Sequence, residues 1–299
     1  MTTPVERSPY KVIILCGGTG MRLREETEFR PKALVEIGGR PILWHIMKHY
    51  SRYGYRDFVL ALGYKGEMIA DYFENYFRLS CDYTLTLDGR GERVFHHEPG
   101  GDEQGWRITF AWTGQDTMTG GRIARAGRYV REELFLATYG DGVSDVPIPR
   151  VVDFHRASGR AATLVGVPLP SPFGVVETED GAVTEFREKP LLGGRINGGF
   201  FVFSREALAY FGGDDEELDR PLNRLVADRE LGIYPHDGFW KSMDTMKDVI
   251  DLNRLWKAGD APWKTWSDAP PPFVPAHQLD PASLAPRAEV RRPVPAAAP

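Results

Sequence analysis

The chain has 299 residues, 42% of them hydrophobic and 26% charged, with a formal net charge of −5. That length suits one large α/β domain or two modest ones, and the apolar share supports a sizeable core. Mild acidity argues against a nucleic-acid partner, no run approaches the ~18 apolar residues of a membrane span, and two cysteines are too few for a disulfide scaffold.

The opening "MTTPVERSP" has neither a basic start nor an apolar h-region, so no signal peptide is expected. Residues 1–9 read as a disordered N-terminus, and a reduced cytoplasm is the expected compartment. The first strand-like run, Lys11–Cys16, stops abruptly at Gly17-Gly18-Thr19-Gly20, with Arg22 close behind. A dinucleotide fingerprint starting at Gly18 needs glycine at position 23, which is Leu23. A P-loop fails as well, because no Gly-Lys-Ser/Thr follows at the right interval. What remains is a loop of bare backbone donors beside a guanidinium, a combination that holds phosphate. Taken alone, "ILCGGTGMRL" suits a glycine-rich turn with an exposed arginine equally well. Cys16 reads as a small buried hydrophobe.

Next, "FRPKALVEIGGRPIL" sets Lys32 after Pro31 at the mouth of that loop. Helical spacing of Ile42, Leu43, Ile46, Met47 and Tyr50 predicts a helix in "RPILWHIMKHYSRYG". A strand over Asp57–Leu62 is followed by a second helical pattern, "KGEMIADYFENYF". From about 82 to 112 the pattern turns β-rich, with "DYTLTL" and "WRITFAW" flanking a polar loop, which predicts a hairpin or small sheet insert. "GGRIARAGRYVREE" then reads as helix, and Leu134–Tyr139, Ala161–Val167 and Asn197–Phe203 as strands. Strands alternating with helices imply an α/β fold with βαβ units and a mainly parallel sheet, whose ligands bind past the carboxyl ends of the strands. "TYGDG" sets Asp141 at such an end, and "FWKSMDTMKD" sets Asp244 among aromatics at a helix start. Residues 267–299, rich in proline and alanine, read as an extended or disordered tail on a domain spanning 10–266.

Two carboxylates, an arginine, a lysine and a backbone cradle make a reasonable magnesium–triphosphate site. Simpler readings stay open: Asp244 as a helix N-cap and Asp141 as a turn residue.

From Lys11 to Trp266, "GGTGMRL", "RPKALVEIGGRPILWHIMKHY", "GYKG", "MTGGR", "TYGDGVSD", "EFREKP", "INGGFFVF", "FWKSMDT" and "APWKTW" together resemble the sugar-phosphate nucleotidyltransferases, and within them the cytidylyltransferase branch. The resemblance implies a Rossmann-like core with a mainly parallel mixed sheet flanked by helices. It implies Mg²⁺ as cofactor, CTP and glucose 1-phosphate as substrates, CDP-glucose and pyrophosphate as products, and a homo-oligomer. Carried onto this sequence, Leu15, Gly17, Gly18, Thr19, Gly20, Thr117, Arg122 and Gly140 would contact the nucleotide. Arg22 and Lys32 would act on the phosphates, and Asp141 and Asp244 would hold the metal. Glu188, Lys189 and Asn197 would hold the sugar phosphate. The chain departs from the pattern at Cys16 (usually alanine), Met21 (usually threonine), "RPKA" for "KPKP", a longer stretch at 88–105 and the tail.

The implied chemistry is in-line attack by a sugar-phosphate oxygen on the α-phosphorus. That nucleophile is already an anion, so positioning and charge offset carry catalysis without a strong base. His45, His49, His96, His97, His155 and His236 are accordingly expected to be structural or surface residues. A silent regulatory subunit on the same fold is disfavoured by the survival of Arg22, Lys32, Asp141 and Asp244, and an NAD-dependent enzyme by Leu23.

Overall fold

The computed structural model describes residues 7–87, 91–96, 102–171, 173–188 and 190–266. The tail, Lys189, His97 and parts of the 88–101 stretch lie outside the described residues. The chain begins with β1 (Lys11–Leu15), a single helical turn α1 (Arg24–Thr27), the short pair β2 (Glu36–Ile37) and β3 (Arg40–Pro41), and α2 (Ile42–Arg52). β4 (Asp57–Leu62) and α3 (Gly66–Glu74) lead to the hairpin β5 (Tyr83–Leu85) and β6 (Arg93–Phe95), then to β7 (Arg107–Trp112), α4 (Thr119–Gly127) and β8 (Leu134–Tyr139). β9 (Gly142–Ser144), α5 (Ile148–Ser158) and β10 (Ala162–Pro170) follow. A hairpin of β11 (Val175–Glu179) and β12 (Ala182–Arg187) precedes the long β13 (Leu191–Ser204). The described chain closes with α6 (Asp219–Ala227), β14 (Leu231–Pro235), β15 (Trp240–Ser242) and α7 (Met246–Ala258).

Seven strands form one sheet in the order β14-β10-β13-β8-β1-β4-β7. All its pairings are parallel except those of β13, which runs antiparallel to β10 and β8. Strands covered on both faces bury every side chain, which is why they read as unbroken apolar runs. β1 shows the arrangement: Val12 and Ile14 join the core on one face with α2, while Ile13 and Leu15 join the core on the other with α4.

Ile42 to Ser51 of α2 are all buried, polar residues included. Trp256 of α7 and the segment that follows it close over this helix. Trp266 lies edge-on to Trp44 at 5.8 Å and Trp256 edge-on to His45 at 4.7 Å. Two of the helix's buried polar side chains have polar partners, His45 bonded to the Ile37 carbonyl and Lys48 3.4 Å from Glu103.

Two expectations are corrected. "WRITFAW" belongs to the main sheet and not to an insert: β7 pairs in parallel with β4 from Asp57↔Arg107 to Leu62↔Trp112. An edge strand is only partly covered, so its polar–apolar alternation imitates that of a hairpin strand. The insert itself is the β5–β6 hairpin, with Tyr83 opposite Phe95. Secondly, order begins before residue 10, because the Ser8 amide donates to the Gly54 carbonyl at 2.9 Å. Among the described residues, no helix is long and apolar enough to cross a membrane.

Candidate active site

β1 and β8 lie side by side in parallel, and both carboxyl ends open into glycine-containing turns. From β1 the sheet extends one way to β4 and β7 and the other way to β8 and β13, so a crevice forms between the two diverging ends. The Gly140 amide donates to the Leu15 carbonyl at 2.9 Å. A Cβ on Gly140 would sit 2.7 Å from that oxygen, so only glycine allows the approach that sets Asp141 beside the first loop.

A second carboxylate reaches the crevice through the two-stranded β9–β15 ladder, in which Ser242 lies opposite Gly142. The Met243 amide extends this zipper by donating to the Asp141 carbonyl at 2.8 Å. Asp244 therefore emerges next to Asp141. The Lys32 ammonium donates to Asp141 Oδ2 at 2.7 Å and to Asp244 Oδ1 at 2.8 Å. Arg22, whose side chain is 78% exposed, approaches Asp244 Oδ1 at 3.3 Å, and the Ser242 hydroxyl donates to Asp244 Oδ2 at 2.8 Å. Burial pushes the Asp244 carboxyl up. Lys32, Ser242 and Arg22 outweigh it and hold the group below the usual aspartate range. Thr245 caps α7 in a reciprocal capping box with Asp248, so Asp244 is not the helix cap.

Two hard carboxylates converging on one cation, partly open to solvent, fit an oxygen-preferring divalent ion. The described residues contain no group of three or more His, Cys, Asp or Glu able to hold a metal. Phosphate oxygens and water would thus have to complete its shell.

Leu15, Gly17 to Gly20, Arg22, Lys32, Thr117, Arg122, Gly140 and Asp141 line one cavity of about 610 Å³. Arg122 reaches it from behind. Its guanidinium donates to the carbonyls of Leu62, Gly114, Gln115 and Gly17, and to the Thr113 hydroxyl at 2.6 Å. A Cβ on Gly17 would lie 2.3 Å from Arg122 Nη1, so loop and guanidinium are packed in direct contact. Arg122 is thereby a buttress of the loop, with its donors committed to backbone. Thr117 likewise turns its hydroxyl to the Thr113 carbonyl at 2.6 Å.

A second cavity of about 580 Å³ shares Arg22, Thr119, Tyr139, Asp141 and Glu217 with the first. It adds Gly198, Gly199 and Phe200 of β13, with Asp219, Trp240 and Asp244. Asn197 and Glu188 line neither cavity. Asn197 acts on the wall, its Oδ1 accepting the Gly199 amide at 2.8 Å, and Glu188 is exposed after β12.

Residues 11–254 match the profile of the family described as Nucleotidyl transferase. The chain belongs to that family. It is 46% identical over 261 residues to the glucose-1-phosphate cytidylyltransferase of Salmonella typhi, a match covering 86% of this chain and 99% of that protein. The figures are the same for the glucose-1-phosphate cytidylyltransferase of Salmonella typhimurium. Among solved structures, the UTP-bound UGPase from Acinetobacter baumannii is similar with a TM-score of 0.60. That match covers 83% of this chain and 93% of the other at 16% identity, a likeness of fold.

Tyr139, Glu217 and Trp240 are among the residues of this nucleotidyl transferase's cavities that escaped the sequence reading. Trp240 donates its indole N–H to the Gly198 carbonyl at 2.7 Å and braces the β13 wall. Tyr139 is half-buried and faces Asp141 and Glu217; the burial first, and then those charges, push its phenol up to about 12 and keep it neutral. Trp240 lies inside the quoted "FWKSMDT". Glu217 sits in an acidic stretch that carries no motif.

Proposed function

We propose that this chain transfers a cytidylyl group from CTP to α-D-glucose 1-phosphate, giving CDP-glucose and pyrophosphate. The observation that carries the reading is that two cavities, one walled by the glycine loop and one by β13 and Trp240, meet at Arg22 and Asp141. A reaction joining two anions needs two pockets converging on concentrated cationic charge. The choice of cytosine and glucose is supported by the 46% identity to the Salmonella enzymes across 86% of the chain.

In this reading the backbone of Leu15 to Gly20 and Gly140 hold the nucleotide, and Arg22 and Lys32 offset triphosphate charge. Arg122 and Thr117 support the nucleotide side through the loops they pin. Glu188, Lys189 and Asn197 serve the sugar phosphate, Asn197 through the wall it shapes. A sugar-phosphate oxygen forms a bond to the α-phosphorus while the bond to the bridging oxygen breaks, and that electron pair leaves with pyrophosphate. No histidine lines either cavity, in keeping with a nucleophile that needs no strong base. Asp141 and Asp244 would hold Mg²⁺, which when bound offsets charge on the reacting phosphates. Assembly as a homo-oligomer belongs to the same reading and is supported by Val176, Val183 and Phe186, apolar and exposed on the β11–β12 hairpin.

Pyrophosphate release from CTP, requiring both glucose 1-phosphate and a divalent cation, is the expected result in a coupled assay. Absence of release with both substrates and Mg²⁺ would overturn the reading.

A further inference from the structure

Tyr64 touches both ends of the glycine loop, although it lies on a different segment, between β4 and α3. Its backbone N–H donates to the Gly17 carbonyl at 2.9 Å, where the loop leaves β1. Its phenol donates to the Thr27 carbonyl at 3.1 Å, where the loop ends in α1. Thr27 relays this inward, because its hydroxyl donates to the Gly20 carbonyl at 3.2 Å, at the centre of the loop. Lys65 adds a second tie, its ammonium bonded to the carbonyls of Thr27 and Glu28. Lys65 does so from a left-handed backbone (φ 50°) that non-glycine residues seldom adopt, so this turn is held by its contacts against its own preference.

Backbone amides can hold a phosphate only while the loop keeps them aimed at one point, and a loop rich in glycine has the most freedom to lose. Arg122 pins the loop at Gly17 alone, whereas the Tyr64 ties span its whole length. We propose that Tyr64 is a positioning residue for nucleotide binding. With Thr27 and Lys65 it forms a clamp that holds the Gly17–Thr27 loop in its phosphate-binding shape before substrate arrives. This rests on the reading of the loop as the nucleotide site. Met21 (80% exposed) and Phe29 (72% exposed) leave the outer rim of the same segment with little packing of its own. Leu23, buried in the core, anchors the middle of the segment, and the carbonyl ties from the 64–65 turn add a hydrogen-bonded restraint on its far end at Thr27.

Tyr64→Phe keeps the ring and removes only the phenol donor. In substrate-free protein, hydrogen exchange of amides in the 17–28 segment should speed up while the β1 and β8 amides and the melting temperature hold. The KM for CTP should rise about three- to tenfold, the range for losing one hydrogen bond, with the KM for glucose 1-phosphate unchanged. Thr27→Val should give the same pattern, and the double variant should be less than additive, since both act through one relay. Unchanged exchange in 17–28 would overturn the clamp, as would KM values for both substrates rising together with a general loss of thermal stability. If the parent protein proves not to use CTP, the functional reading falls, and the exchange measurement still decides the clamp by itself.

Discussion

Lys32 sets the charge balance of the crevice, since one ammonium faces two carboxylates. Replacing it with alanine leaves Asp141 and Asp244 facing each other and the phosphates without an offset. Turnover in Lys32→Ala is expected to fall by about 10²–10³ or more, the scale for one preorganised charged group. Asp141→Asn and Asp244→Asn should match that loss in steady-state kinetics with melting temperatures near the parent value. Full activity in both would remove them from the reaction. The same variant tests the electrostatics. Asp244 has a folded-state pKa below its ordinary value, so its contribution to stability is fully present above the aspartate range and is lost as pH falls through the folded value. In Lys32→Ala an NMR titration should find that carboxyl moved upward. Buried histidines act in the same direction on pH. His49 accommodates only the neutral ring well, with Nε2–H donating to the Val146 carbonyl at 2.8 Å and Nδ1 beside the Thr265 hydroxyl at 3.1 Å. Burial lowers His49 and His155 from 6.5 to about 4. An unfolded chain takes up these protons below 6.5 while the folded one resists until about 4, so stability should drop across that window. Each histidine contributes on the order of 3 kcal/mol to the drop. Thermal melts at pH 7, 5.5 and 4 check this, and a flat profile would contradict it.

At the scale of elements, α2 explains the importance of the chain's last described segment. Trp263 is 1% exposed and donates its indole N–H toward His45 Nδ1 at 3.4 Å, so it is part of the core. Trp263→Ala should cost about 3–5 kcal/mol in denaturant unfolding, as for other large core truncations. Deleting residues 267–299, which are rich in proline and alanine, should shift the melting temperature by no more than a degree or two. A large shift there would mean the segment contributes packing. The strands of the central sheet were legible because burial on both faces writes a continuous apolar run into the sequence. The two edge strands, β7 and β14, were not, because partial cover leaves an alternation that several architectures share. Arg122 was expected to contact the nucleotide, and its role as a buttress of the loop was not legible. Its partners are carbonyls of Leu62, Gly114 and Gln115, and backbone oxygens leave no trace in a residue pattern.

Across the whole molecule, the site is assembled from segments far apart in the chain. The loop after β1, the turn after β8, the bend in β13, the start of α6 and the turn after β15 all meet in one crevice. The charged cluster of this site was readable because Arg22, Lys32, Asp141 and Asp244 each sit in a short distinctive motif. The wall of Tyr139, Glu217 and Trp240 was not, since its members share no spacing and become neighbours only when the sheet folds. That wall and the rim around Gln115 to Met118 shape the two pockets, so substrate selectivity is a property of the assembled fold. Cytosine and uracil exchange a donor for an acceptor on the edge that a pocket reads. Groups matched to one are left unpaired by the other, a mismatch that can reach about 10⁴-fold in discrimination. The decisive measurement is pyrophosphate release by the purified chain with Mg²⁺, glucose 1-phosphate and CTP, UTP, dTTP or GTP in parallel. CTP should exceed each of the others in kcat/KM by at least about 10²-fold, and equal turnover of CTP, UTP and dTTP would contradict the cytidylyl assignment.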